Sequence, residues 1–347
     1  MNDSRRRSWF SLKPLVWGGV LMLGACASRG PAMRSAEPAP GLRAEASEGG
    51  RLVDRLAPPD QADLVIFYGT DEEGSLEPCG CTDNPRGGLP RFAGYLNATR
   101  ALPGASPDLV LSVGGWSEGA VGTDGAPRPD ASLINGWMVR GMTALGVDVV
   151  GVGWGDMAGM VSLDGPPPFA VVSANLHGDG VAGEALLQRG DLRVLVTSIG
   201  SPGPAMVDIP GFVREDGVDG VRAQLQGARE RADLIVLLAH SSTTEAKVLA
   251  EEGLVDLVID ANQHRFRDEP LRVGGAVWVR AYHQTQRLGE LRIGLESGEK
   301  GPRIRWATDR KIDLDEAIPE EPELRAMARD ALREIERTQR SLFGQVL

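Results

Sequence analysis

The chain has 347 residues, with 48 acidic side chains against 37 basic ones, a formal net charge of −11 and three cysteines. Its Lys and Arg are dispersed, which argues against nucleic acid as a partner, because phosphate binding depends on clustered cations. The acidity points to solubility and names no partner of its own.

At the amino end, Arg5-Arg6-Arg7 precedes the mostly apolar stretch 15–23 and then Leu23-Gly24-Ala25-Cys26. Basic, apolar and small residues in that order are the plan of an export signal, and the apolar run is too short to be a stable membrane-spanning helix. Leu-Gly-Ala-Cys resembles a bacterial lipobox. The resemblance implies that residues 1–25 are a signal peptide, that Cys26 becomes the lipid-modified first residue, and that the membrane is a partner through that lipid. The protein is then expected in a bacterial cell envelope, facing the periplasm or the exterior. An ordinary secretory signal with a chance cysteine is the alternative. Arg6-Arg7-Ser8-Trp9-Phe10 loosely matches a twin-arginine export signal.

Residues 26–61 are rich in Ala, Pro, Gly, Ser, Arg and Glu, without an apolar period of 2 or 3.6 residues. They read as a disordered tether, with a reach on the order of 30 Å. The chain beyond residue 61 is long enough for one large α/β domain or for two small ones, and the lack of a second linker favours one.

Short apolar runs predict strands at 64–68, 109–113, 147–152, 169–173, 192–199, 234–239, 254–259, 276–281 and 288–295. Amphipathic stretches between them predict helices at 89–102, 131–145, 218–231 and 242–252. This alternation predicts stacked α/β layers around sheets that are largely parallel at their centre. Residues 298–347 form an extension with a helix at about 320–343, opened by Pro319-Glu320-Glu321-Pro322 and closed near Arg337 and Arg340. Packing on the domain and contact with a partner are both open to that helix.

Sites in such folds lie in loops at the carboxyl ends of strands. Asp71-Glu72-Glu73-Gly74 follows the first predicted strand, Val113-Gly114-Gly115-Trp116 the second and Gly153-Trp154-Gly155-Asp156 the third. Ser173-Ala174-Asn175, Leu238-Ala239-His240, Asp260-Ala261-Asn262-Gln263-His264 and Arg287-Leu288-Gly289 complete the series. In order and spacing this resembles the amino-terminal domain of periplasmic 5'-nucleotidases and UDP-sugar hydrolases, of the calcineurin-like metallophosphoesterase superfamily, over roughly residues 62–297. The resemblance implies an α/β/β/α sandwich of mixed sheets and motifs D-x-H-G, G-D, G-N-H-[DE], a lone His and G-H-x-H. In the family these hold two metal ions, which activate water and clamp phosphoryl oxygens.

Laid over this chain, the first motif keeps Asp71 and has Glu73 in place of its histidine, while the bridging aspartate is replaced by Gly115. Trp154 and Gly155 replace the asparagine ligand and the histidine that assists the leaving group, and Asp156 keeps the acidic position. His240 is the lone histidine, Asn262 stands for the first histidine of the last motif and His264 is the second. Asp71, Glu73, His240, Asn262 and His264 are thus a remnant metal set. It offers at most one divalent metal, held by Asp71, Glu73 and His264, and implies absent or weak hydrolysis. Buried remnant histidines and a turn-capping Asp71 are the plain alternatives. His177 and His283 fall outside the motifs and read as surface or structural residues. The roughly fifty residues after the matched region are too few for the family's separate carboxyl-terminal nucleotide-binding domain, so none is expected within them.

Cys79-Gly80-Cys81, followed by Pro85-Arg86-Gly87-Gly88-Leu89, lies in the loop leaving the first strand. The run resembles a subgroup of envelope proteins in this superfamily that combine it with weakened metal motifs. Chemically, three outcomes stay open for Cys79 and Cys81: a static disulfide, a strained and reducible one served by an envelope redox partner, or two thiolates on copper(I) or zinc. A zinc ribbon would need a second cysteine pair, and haem attachment needs C-x-x-C-H. Gly87-Gly88 belongs to no phosphate-loop pattern and reads as a tight turn into the helix from Leu89.

Overall fold

The computed structural model describes residues 40–47, 49–58, 60–79, 84–118, 128–201, 209–215, 217–261, 269–298 and 301–344. Cys26, Cys81, Asn262 and His264 lie outside them, as does the signal segment. In chain order the first elements are β1 (Leu42–Ser47), α1 (Leu52–Arg55), β2 (Leu64–Gly69), α2 (Leu89–Arg100), β3 (Asp108–Ser112), α3 (Pro129–Leu145), β4 (Val149–Gly151) and α4 (Trp154–Val161). Then come β5 (Ala170–Val172), β6 (Leu176–Gly178), β7 (Ala185–Arg189), β8 (Leu192–Gly200), β9 (Phe212–Arg214), α5 (Asp219–Leu225), α6 (Ala228–Arg231), β10 (Leu234–His240) and α7 (Thr243–Glu251). The last are β11 (Leu257–Asp260), β12 (Leu271–Val273), β13 (Ala276–Arg280), a 3₁₀ turn (His283–Thr285), β14 (Arg287–Gly298), β15 (Gly301–Asp313) and α8 (Pro322–Phe343).

One sheet has seven strands in the order β1-β15-β14-β2-β3-β4-β5, a second has six in the order β12-β13-β11-β10-β8-β7, and β6 pairs with β9 alone. Neighbours from β2 to β5 are parallel, as are β8, β10, β11 and β13, while β14 is antiparallel to both β2 and β15. The sheets are therefore mixed with parallel centres, as the alternation predicts.

The period of two in β2 sets the layering. Leu64, Ile66 and Tyr68 point into the apolar layer between the sheets, and Val65 and Phe67 pack outward with residues of α2 and α3. In β10, Leu234, Val236 and Leu238 join the same inner layer, whereas Ile235, Leu237 and Ala239 face α5, α6 and α7. The result is an α/β/β/α sandwich. Among the described residues, no helix is long and apolar enough to cross a membrane.

Three expectations need correcting. The stretch read as tether contains β1, which pairs in parallel with β15 from Leu42↔Ala307 to Ser47↔Ile312. Only Leu42 among Leu42 to Ala46 is buried, so the strand has no apolar alternation and exists because the edge of β15 needs backbone partners. The sheet also runs past residue 297 through β15, whose Asp309, Arg310, Lys311 and Asp313 are buried as ion pairs rather than as apolar side chains. Arg310 Nη1 lies 2.6 Å from Glu290 Oε2 and Lys311 Nζ lies 2.8 Å from Asp309 Oδ2. Finally, the helix expected at 218–231 breaks into α5 and α6 at Gly227, where φ is 74°. The terminal helix α8 packs on the domain, donating a bond from Gln339 Nε2 to Asp130 Oδ2 at 3.2 Å and accepting one at Glu334 from Trp137 Nε1 at 2.9 Å.

Candidate functional site

The carboxyl ends of β2, β3, β4, β10 and β13 supply one cluster of loops. Among the described residues, non-glycine positive φ occurs at Asp71 (53°), Glu73 (49°), Ser241 (60°), Gln284 (51°) and Thr285 (43°), all in those loops. Backbone in this region is costly for a residue with a Cβ and persists only where surrounding contacts hold it. Here the holding contacts are visible. The N–H groups of Asp71, Glu73 and Gly74 donate to the carbonyls of Gly114, Gly115 and Trp116 at 2.9, 2.9 and 3.0 Å.

The alternating left-handed residues at 71 and 73 decide which carboxylates face inward. Asp71 is buried, with Oδ1 2.9 Å from His240 Nε2 and Oδ2 3.9 Å from His283 Nδ1. Glu73 is exposed and is not brought to Asp71 or His240. Its neighbour Glu72 is the buried one, accepting from Thr285 Oγ1 at 3.0 Å and Ser112 Oγ at 3.1 Å. Burial pushes the Glu72 carboxyl up to about 7, helped by the charge of Asp71 and opposed by those hydroxyl bonds.

Asp156 is fully buried and accepts the N–H groups of Gly115 (2.7 Å), Gly153 (2.8 Å) and Ser117 (3.0 Å), besides the Ser117 hydroxyl (3.1 Å). It caps α4 and pins the β3 loop to the β4 loop. Burial raises its pKa against the opposing pull of His240 and of the three N–H groups. For His240, burial works to lower the pKa, and the bond to Asp71 with the charges of Asp156, Asp71 and Glu72 outweighs it, so the ring holds its proton above its usual range. His240 Nδ1 is buried and has no hydrogen-bond partner among the described residues.

Gly115 sits against this pair, since an added Cβ would lie 2.4 Å from Asp71 Oδ1 and 3.0 Å from His240 Nε2. Trp154 is half-buried under the guanidinium of Arg214, 5.9 Å from the ring centroid, and a Cβ at Gly155 would meet open space. Among the described residues, no three His, Cys, Asp or Glu side chains form a group able to hold a metal ion.

Cys79 is half-buried on the same side. Its N–H donates to the Arg86 carbonyl at 2.8 Å and its Sγ receives the Arg86 N–H at 3.3 Å. Gly87 and Gly88 have φ of 87° and 90°, and a Cβ on Gly87 would lie 3.0 Å from the Gln284 carbonyl oxygen. The cysteine loop therefore rests on the 3₁₀ turn that carries His283 to Asp71 and Thr285 to Glu72.

Sequence reasoning missed Glu72 and His283. The x of D-x-H-G carries no constraint, and His283 belongs to no motif, so no signal in the chain marked either.

No family model matches the chain, and no curated protein does. Solved structures do. The sulfate thiohydrolase SoxB of Thermus thermophilus superposes with a TM-score of 0.67 at 18% identity, over 81% of this chain and 62% of that one. A 5'-nucleotidase precursor from Thermus thermophilus gives 0.62 at 18% identity, over 82% and 60%. The calcineurin-like phosphoesterase YfkN of Bacillus subtilis gives 0.60 at 16% identity, over 81% and 100%. The chain thus spans about three-fifths of the length of the first two. With its α/β/β/α layers and mixed sheets, it has the metallophosphoesterase fold.

Proposed function

We propose that this chain is a lipid-anchored envelope protein that keeps the metallophosphoesterase fold as a scaffold, has lost the paired metal site, and acts as a binding or thiol-redox protein through the Cys79/Cys81 loop. The carrying observation is at Gly115. The position of the ligand shared by both metals has no side chain, and Asp71 and His240 close on one another at 2.9 Å beside it. The described residues do not fit a paired centre, because Glu73 points to solvent and Trp154 replaces an amide donor with an indole. The lipobox-like run ending at Cys26 supports the anchor and the envelope location. The place of Cys79 against the 3₁₀ turn supports a working loop at the site end of the fold.

Two measurements test the reading. Protein purified from its own envelope should carry acyl chains at Cys26 and yield a defined thiol or metal state at Cys79/Cys81. Assayed with a phosphomonoester and a phosphodiester in the presence of manganese or zinc, it should hydrolyse neither above background. The rival reading is a divergent single-metal phosphohydrolase, favoured by the two imidazoles that meet Asp71. Turnover abolished by Asp71→Ala and His264→Ala would establish it.

A further inference from the structure

We infer that Asp71 and His240 form a fixed polar stitch joining the two sheets, and that the bare Gly115 beside them leaves room for it where a bridging carboxylate would stand. The inference rests on the loss of the paired centre proposed above. Asp71 leaves β2 of the seven-stranded sheet, and His240 ends β10 of the six-stranded one. Between the sheets the shared apolar layer has Tyr68, Val113, Leu238, Ala261 and Ala281 as its last members toward these strand ends. Past them a contact between the sheets must be polar, and the 2.9 Å bond from Nε2 to Oδ1 supplies it.

The slot that holds the ring is built from main chain. An ideal Cβ on Gly153 would lie 2.5 Å from His240 Nδ1, one on Gly115 3.0 Å from Nε2, and one on Gly114 3.1 Å from Cδ2. Distances under about 3 Å do not occur for real carbon contacts, so a side chain at Gly153 and this ring position exclude one another, while one at Gly115 would crowd the ring and clash with Asp71 Oδ1 at 2.4 Å. Asp156 holds both walls of the slot, accepting from Gly115 at 2.7 Å and Gly153 at 2.8 Å. On the other side, Asp71 is kept at a φ of 53° by its N–H bond to Gly114, which aims its carboxylate at the ring. A bridging carboxylate at position 115 would reach the same space as Asp71 Oδ1, only 2.4 Å from the added Cβ. The stitch and the two-metal arrangement are alternatives in one volume.

The test is a double-mutant cycle in the full chain with Asp71→Asn and His240→Gln, read by thermal melting. Each single change is expected to lower Tm by about 3–6 °C, and the double by little more than either one. Additive losses would overturn the stitch. Gly153→Ala is expected to lower Tm by a similar amount while Gly155→Ala, two residues on in open space, leaves it unchanged; equal effects at the two glycines would also overturn it. Manganese or zinc added to the unaltered chain should not raise Tm, and a rise that His240→Gln abolishes would assign these residues to a metal. Phosphate release with the coupling intact would sink only the non-hydrolytic reading, and additive losses without turnover only the stitch.

Discussion

Cys79 and Arg86 hold each other through the main chain, with one N–H donated to a carbonyl at 2.8 Å and the other to a sulfur at 3.3 Å. The Arg86 side chain then fixes the loop to the body, because Nη1 lies 3.0 Å from Asp313 Oδ2 at the end of β15. The other oxygen of Asp313 takes Arg287 Nε at 2.7 Å.

Arg86→Ala should therefore leave a buried carboxylate with one cation in place of two. Arg86 is 30% exposed, which moderates the loss to about 1–2 kcal/mol in urea denaturation. In reduced protein, alkylation of Cys79 should become several-fold faster. An unchanged midpoint together with an unchanged labelling rate would show that the loop is held by its main-chain bonds alone.

Glu72 predicts a pH dependence of definite sign. Its folded pKa of about 7 lies above the ordinary 4.5, so between those values the folded chain keeps a proton that the unfolded chain has released. This contribution to stability is complete below the lower value and is lost as pH rises through the upper one, and it amounts to about 3 kcal/mol. Glu72→Gln should flatten the fall in urea midpoint between pH 5 and pH 8 and should leave the variant the more stable protein at pH 8. A slope as steep in the variant as in the parent would assign it to other groups.

Glu72 also shows where reading the chain stops. Strands such as β2 and β10 were legible because apolar side chains alternate between two buried faces, and each loop of the candidate site was legible from its place after a strand. Which of Asp71, Glu72 and Glu73 turns inward was not, since it depends on left-handed backbone at 71 and 73 imposed by the carbonyls of Gly114 and Gly115. The same limit hid β15. Its buried Asp309, Arg310 and Lys311 look like surface residues until Glu290, Tyr68 and Arg292 are placed around them by the neighbouring strands.

Asp156→Asn tests whether the acid at the family's acidic position is needed as a carboxylate. Four donors converge on it, and an amide offers one oxygen while turning its own NH₂ toward the remaining N–H groups. The loss should reach about 3 kcal/mol or more, because buried donors would lose their acceptor. Stability within about 0.5 kcal/mol of the parent, a change typical of ordinary surface positions, would show that the loops are held without it.

The position of β1 makes a prediction about chain length. A chain shortened to start at residue 62, where composition places the domain boundary, loses the ladder of β1 on β15 and the buried Arg55. Arg55 donates to the Asp313 carbonyl at 2.7 Å and to Asp315 at 2.8 Å, and its own carbonyl accepts Tyr95 at 3.0 Å and Arg310 at 2.8 Å. Removing it leaves Asp315 with one ion pair fewer and Arg310 Nη2 short of an acceptor, while the Tyr95 hydroxyl keeps Glu290 Oε2 at 2.6 Å, and with the lost ladder the cost is on the order of 3–5 kcal/mol. At roughly 2–4 °C per kcal/mol for a domain of this size, the chain from 62 should melt about 10 °C below a chain starting at residue 40. It should also associate through the uncovered edge of β15, visible as oligomers in size-exclusion chromatography. Equal melting temperatures and a monomeric profile would mean that β1 and α1 decorate the sheet without supporting it.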